Sequence, residues 1–172
     1  GGAAAAALAA PAIAQSAPEV SWTLASSYPR SLTNLYQVAE DLAGWVADAT
    51  DGRFTIKVAP AGEIAGPFEV LDAIRDGKVE MAHTASYYYT DKDPAFAFGT
   101  TVPFGLNARQ QNAWLYEGGG NDLLNGVYAG FGIYGLPAGN TGAQMGGWFR
   151  KEINSVEDLK GLRMRIPGLG GA

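Results

Sequence analysis

The chain contains no cysteine, so disulfides, thiolate metal sites and cysteine nucleophiles are excluded. Histidine is nearly absent as well. His83 stands alone, and no Ser-His-Asp arrangement suggests itself around it. A lone histidine at a strand end reads as a structural hydrogen-bonding residue. No paired carboxylates stand out for acid–base work. The glycine runs at 118–120 and 168–171 lack the Lys-Ser/Thr that completes a phosphate loop, and no GxGxxG stands at a strand-to-helix turn. Asp91-Lys92-Asp93 lacks the spacing and the closing Glu of a calcium loop. These gaps leave little room for catalysis. Basic charge is also scarce: 12 Lys and Arg face 17 Asp and Glu, for a net charge of −5, and the cations are scattered until Lys160, Arg163 and Arg165. That distribution argues against a nucleic-acid partner. An acidic protein that binds an anion must do so locally, with one or two placed cations. What is present is a globular composition, 172 residues with 47% hydrophobic and 17% charged, enough for one domain with a real core.

The beginning carries a targeting signal. Gly1 to Ala10 reads GGAAAAALAA, followed by Pro11-Ala12-Ile13-Ala14-Gln15. An apolar run, a proline and small residues at Ala12 and Ala14 are the end of a secretory signal peptide. The run is too short to span a bilayer. The basic n-region and the initiator Met are missing, so the sequence is read as starting inside the signal, with cleavage near Ala14-Gln15 and a periplasmic destination.

Beyond it, Val20–Ala25 reads as a strand, and Ser31 is placed to cap a helix over Leu32–Ala49. The stripe of that helix is Leu35, Val38, Leu42, Trp45 and Val46. Thr50-Asp51-Gly52 ends it. Arg53–Ala59 alternates as a strand, Phe68–Asp76 is a short helix, and Val79–His83 is a third strand. The order βαβαβ favours an α/β fold with parallel strands, whose ligand loops lie at the carboxyl ends: Ser26–Arg30, Pro60–Pro67 and Thr84–Tyr89. A long aromatic connection follows, Asp91–Leu106. Helices are expected over Ala108–Glu117 and Asn121–Ala129, separated by a flexible triglycine at 118–120. Strands are expected over Phe131–Leu136, Ala143–Phe149 and Leu162–Ile166. Ser155 with Asp158 reads as a capping box opening a helix at Val156–Lys160.

Two clusters suit binding. Ser86-Tyr87-Tyr88-Tyr89 follows directly on the third strand, where hydroxyls can donate and rings can wall a pocket. Three consecutive tyrosines cannot all face one site, so at least one should pack, and a purely structural role for them stays open. Near the end, alternation puts Arg163 and Arg165 on one face of Leu162–Ile166 and Met164 and Ile166 on the other. Arg165, near the strand end before a Pro-Gly turn, can fork a carboxylate; by residue type alone it reads more readily as a surface arginine.

The segment Glu152–Pro167, with Asp158-Leu-Lys-Gly-Leu-Arg-Met-Arg165 at its centre, resembles the most characteristic stretch of the TRAP-transporter solute-binding proteins. Phe68–Gly77 followed by Val79-Glu-Met-Ala82 is similar to that family's pattern too, and the resemblance runs from about Val20 to Gly171. His83–Tyr89, Pro103–Leu106 and Gly139–Phe149 look like the branch that binds 2-oxo acids such as pyruvate. The resemblance implies a non-enzymatic, two-lobed periplasmic binding protein of the type II-like α/β class, closing on a small monocarboxylate by a hinge motion. It implies that Arg165 clamps the carboxylate, with Ser86, Tyr87 and Gln144 around the ligand. Gln144 stands where many relatives carry a second arginine. It is implied to bind a bridging cation, sodium in preference to calcium. The implied partners are the TRAP membrane permease and, for the full-length protein, a second copy of itself. On this reading residues 1–14 are the signal remnant, 15–134 the first lobe, and 135–172 hinge strands and the start of the second lobe. Family members are about twice as long, so the chain reads as a front half. Alternatives are a receptor of the same class for lactate or another organic acid held through calcium, an exported sensor module, and an exported α/β enzyme.

Overall fold

A computed structural model describes residues 18–100 and 102–166; the expected signal remnant lies outside them. The first half is built on three strands, β1 (Val20–Ser26), β2 (Phe54–Ala59) and β3 (Met81–His83), in the order β2-β1-β3. Both pairings are parallel, with Val20 opposite Phe54 and Leu24 opposite Met81. Parallel neighbours need crossovers, supplied by α1 (Thr33–Ala49) and α2 (Val70–Arg75). β1 is therefore central, and its carboxyl end, Leu24-Ala25-Ser26, is buried.

Helix α1 begins one residue later than expected. Leu32, not Ser31, occupies the cap position, and no side chain caps the helix. Its buried positions are Tyr36 and Ala39, with the Tyr36 hydroxyl donating to the Val58 carbonyl at 3.3 Å. Trp45 departs from the expected stripe and is 66% exposed. The stop is as read: Thr50 Oγ1 donates back to the Val46 carbonyl at 2.7 Å and accepts from Phe54 N–H at 3.0 Å. Asp51 and Gly52 then turn the chain through the left-handed region.

Two apolar clusters hold this half together. Ala25, Val70, Ala73 and Val79 seal α2 onto the sheet. Leu71, Tyr89 and Phe96 form the second, with Tyr88, Tyr128, Phe131 and Ile133 against it. Each large side chain so buried contributes about 1.5–3 kcal/mol. Helix α3 (Ala108–Tyr116) packs on α4 (Gly120–Ala129), which the second cluster joins to α2 through two 3-10 turns, Ser86–Tyr89 and Pro94–Gly99, the latter inside the expected loop.

Helix α3 opens on a capping box that the sequence reading missed. Asn107 Oδ1 accepts from Gln110 N–H, and Gln110 Oε1 accepts from Asn107 N–H, both at 3.0 Å. The triglycine after it is no flexible spacer. Gly118 N–H donates to the Ala113 carbonyl, Gly119 has φ 78°, and a Cβ on buried Gly120 would overlap the Trp114 ring. Beyond α4, Asn125 treats Gly135 as a strand neighbour would: its Nδ2 donates to the Gly135 carbonyl at 3.0 Å and its Oδ1 accepts from Gly135 N–H at 2.7 Å.

The three later strands do not form among the described residues. Residues 131–132 form a turn, and residues 133–136, 143–149 and 162–166 lack ladder partners there, so the expected strand Phe131–Leu136 is absent with the other two; an extended segment becomes a strand only when a neighbour takes up its backbone groups. Two of them still touch, since the Met164 methyl packs over Gly147. The Ser155–Asp158 capping box is present, with Asp158 Oδ2 accepting from Ser155 N–H at 2.9 Å, but the turn it opens, Val156–Leu159, is 3-10.

Candidate functional site

The carboxyl ends of the three strands converge, and their loops are tied to one another. The Ser27 hydroxyl lies 2.7 Å from the Pro67 carbonyl and 2.6 Å from the Thr84 hydroxyl, which lies 2.9 Å from that of Tyr89. Ala61 N–H donates to the Tyr28 carbonyl at 3.1 Å. All three expected ligand loops thus share one hydrogen-bonded frame. Buried polar groups satisfied in this way make a rigid base for a site.

On that frame stands an aromatic wall. Tyr88 meets Phe68 edge-on at 4.9 Å and Tyr87 at 4.6 Å, and Tyr28 meets His83 at 5.1 Å. The three tyrosines divide as the sequence suggested. Tyr89 is buried, with its hydroxyl also 3.3 Å from Leu71 N–H, and is structural. Tyr87 and Tyr88 are half-buried. Burial is the largest influence on the Tyr87 phenol and pushes it up to about 12; its hydrogen bond with Tyr88 pushes the same way, while the Arg165 guanidinium pulls it down. Burial likewise drives the Tyr28 phenol far above its ordinary value, with the neighbouring tyrosines adding to the effect. These rings stay neutral at physiological pH and can donate to an anion. His83 is held below its ordinary range by burial, so it adds no positive charge at neutral pH.

The expected ligand residues are only partly assembled. Tyr87 and Arg165 come within electrostatic reach of each other although far apart in sequence. Arg163 and Arg165 are exposed and Met164 half-buried, as alternation required, but Ile166, expected on the face of Met164, is exposed too. Ser86 is used differently from expectation: its hydroxyl donates to the Phe96 carbonyl at 2.6 Å and lies 3.1 Å from the Thr100 hydroxyl, so its bonding capacity is spent within the protein. Gln144 is exposed, and its amide nitrogen donates to Thr141 Oγ1 at 3.1 Å. The hydrogen bonds of the described residues tie it to that loop and not to Tyr87 or Arg165. Tyr28 and Phe68 were missed as wall residues. Their signal was position alone, since Tyr28 lies within one loop already singled out and Phe68 borders another.

For a cation the donor set is partial. The Gln144 carbonyl oxygen is the hard, neutral type of ligand that sodium or calcium accepts, but calcium takes about six to eight oxygens. Among the described residues no group of three or more His, Asp or Glu side chains could hold a metal. A surface hollow of about 550 Å³ lies elsewhere, lined by Met145 and residues 147–153, and none of the expected ligand residues lines it.

Comparison with known proteins bears on the family and the fold. The DctP family model, described as bacterial extracellular solute-binding protein, family 7, matches residues 25–171. A monocarboxylate 2-oxoacid-binding periplasmic protein of Nostoc sp. is 57% identical over 154 residues, which are 90% of this chain and 42% of that protein. Among solved structures, a TRAP transporter solute-binding protein from Bordetella bronchiseptica, a dimer with copurified calcium and picolinate, is 45% identical. It superposes with a TM-score of 0.86, over 90% of this chain and 46% of its own. A TRAP periplasmic solute-binding protein from Pseudoalteromonas atlantica, with bound sodium and pyruvate, is 45% identical. Its TM-score is 0.82, over 87% of this chain and 46% of its own. The chain spans about half the length of the relatives it matches. The likeness bears out the α/β class and the two-lobed, non-enzymatic type of protein to which this parallel sheet belongs.

Proposed function

The chain belongs to bacterial extracellular solute-binding protein family 7, and from that premise we propose that it is the clamping front part of a periplasmic receptor for a small 2-oxo monocarboxylate such as pyruvate. The receptor holds its ligand with a bridging cation, sodium in preference to calcium, and delivers it to a TRAP membrane permease. The observation that carries this reading is the wall of phenols that Tyr28, Tyr87 and Tyr88 build at the carboxyl ends of the strands, in a chain 57% identical to a 2-oxoacid-binding protein. An arginine fork from Arg165 together with such phenols would suit a single carboxylate. Gln144 contributes no charge, so a second anionic end would go unmatched, and a ligand with one carboxylate is favoured.

The chemistry of the relatives' ligands points the same way. Pyruvate offers a carboxylate oxygen and an adjacent keto oxygen. Picolinate offers a carboxylate oxygen and an adjacent ring nitrogen. Both can close a five-membered chelate on one cation, and pyruvate is found with sodium and picolinate with calcium in the two solved relatives. The Gln144 carbonyl oxygen is this chain's contribution to such a cation, and the remaining ligands come from outside the described residues. Ser86 acts from behind the wall, and cleavage near Ala14-Gln15 releases the receptor into the periplasm.

Calorimetric titration of the full-length protein with pyruvate in sodium buffer tests the assignment. Arg165→Ala should weaken binding by about 100-fold, the equivalent of one or two charge-assisted hydrogen bonds. Gln144→Ala should weaken it and reduce its dependence on sodium. Wild-type affinity in Arg165→Ala would overturn the proposal.

A further inference from the structure

Tyr87 is fastened from behind by a chain of hydroxyl groups. Its backbone N–H donates to Thr100 Oγ1 at 3.1 Å. Thr100 Oγ1 lies 3.1 Å from Ser86 Oγ, which donates to the Phe96 carbonyl at 2.6 Å. The Tyr128 phenol of α4 stands near the same serine, the two hydroxyls both lying against Gly99. Gly99 makes the junction possible, because a Cβ there would overlap the Ser86 hydroxyl and stand 2.8 Å from that of Tyr128. The Tyr128 ring is itself fixed on two sides. It stacks on buried Phe96 with centroids 5.5 Å apart, and it fills the room left by the missing side chain of Gly135, where a Cβ would lie 2.5 Å from its Cε2. Gly135 is the residue held by Asn125, where the extended chain leaves α4.

We propose that Thr100 and Tyr128 are positioning residues: through Ser86 their hydroxyls set the turn that presents Tyr87, and the Tyr128 ring locks that turn to the departing segment at Gly135. Neither side chain needs to touch ligand. This rests on the reading of Tyr87 as a ligand wall. It adds that the wall and the exit from α4 move as one body, so that a change of chain direction at Gly135 is felt at Tyr87. Directional bonds to a peptide N–H and a ring wedged between two backbones have few alternative arrangements, which is what such coupling requires.

The test uses the full-length protein with ring-labelled tyrosine, the Tyr87 signal being identified by its loss in Tyr87→Phe. Thr100→Val keeps the shape of the side chain and removes the hydroxyl, Thr100→Ser keeps the hydroxyl, and Tyr128→Phe keeps the ring. In the absence of ligand, Thr100→Val and Tyr128→Phe should move the Tyr87 resonance, and Thr100→Ser should restore it, with thermal midpoints close to wild type. Pyruvate affinity in sodium buffer should fall by about three- to tenfold in the first two, as for loss of one neutral hydrogen bond. An unmoved Tyr87 signal in Thr100→Val and Tyr128→Phe, or unchanged affinity in both, overturns the proposal. Because the resonance is read without ligand, a wild-type protein that ignores pyruvate would sink the ligand assignment and leave this inference to be decided by the signal.

Discussion

His83 shows how one side chain can be read from sequence in kind but not in consequence. The expectation of a structural histidine fits its setting, beside the Tyr28 ring and with Nδ1 3.5 Å from Ser26 Oγ. Burial holds its folded-state pKa below the ordinary value of 6.5. Between those two values the unfolded chain binds a proton that the folded chain does not, so stability is full above 6.5 and is lost as pH falls through the folded-state value. Wild type should therefore lose more unfolding free energy than His83→Gln between about pH 7.5 and about pH 5.5, measured by denaturant titration. Parallel losses in the two would mean that the imidazole is not the titrating group. Ser86 and Tyr87 make the complementary point. Adjacent in sequence and alike in hydrogen-bonding chemistry, they were given the same role. A 3-10 turn sends one hydroxyl inward to Phe96 and leaves the other ring on the wall, and no pattern of residue types encodes that divergence.

At the scale of elements, packing gave the triglycine a definite job. Gly120→Ala would drive a methyl group into the Trp114 ring and force α3 and α4 apart. The expected cost is about 1–3 kcal/mol, typical of overpacking, read as a lowered unfolding midpoint. Gly119→Ala would be strained by its positive φ instead. A Gly120→Ala protein as stable as wild type would show that the two helices are not held by this contact. The first half of the fold was legible because each of its elements carries its own period and finds its partner within the same stretch: three strands, two crossovers, and an order that left parallel pairing as the natural outcome. The cap of α1 and the outward turn of Trp45 were not legible, since both depend on how far the helix rolls against β2. The later strands failed for a deeper reason. Met164 over Gly147 brings residues 143–149 and 162–166 together, but a ladder belongs to two segments at once and only one is visible in either stretch of sequence.

Taken as a whole, the molecule has an uneven surface. Tyr134, Leu136, Met145 and Trp148 are all at least 71% exposed, and they crowd a single part of the chain. So many large apolar side chains exposed in one stretch suit a surface that is covered, in keeping with a chain that spans 42% of its Nostoc relative. Residues 18–166 produced alone should bind a hydrophobic dye and self-associate, and the full-length protein should do neither. Light scattering and dye fluorescence compare the two directly, and equal behaviour would remove the case for a covering segment. Asn125 gives this arrangement a fixed origin. By clasping Gly135 with both halves of its amide, it turns the residues between them into a measured loop, a ruler closed at each end. Everything that follows is dispensed from that mark. With Phe131 and Ile133 packed between the two ends, a residue inserted there finds no slack, so the length of this stretch is held as firmly as its contacts.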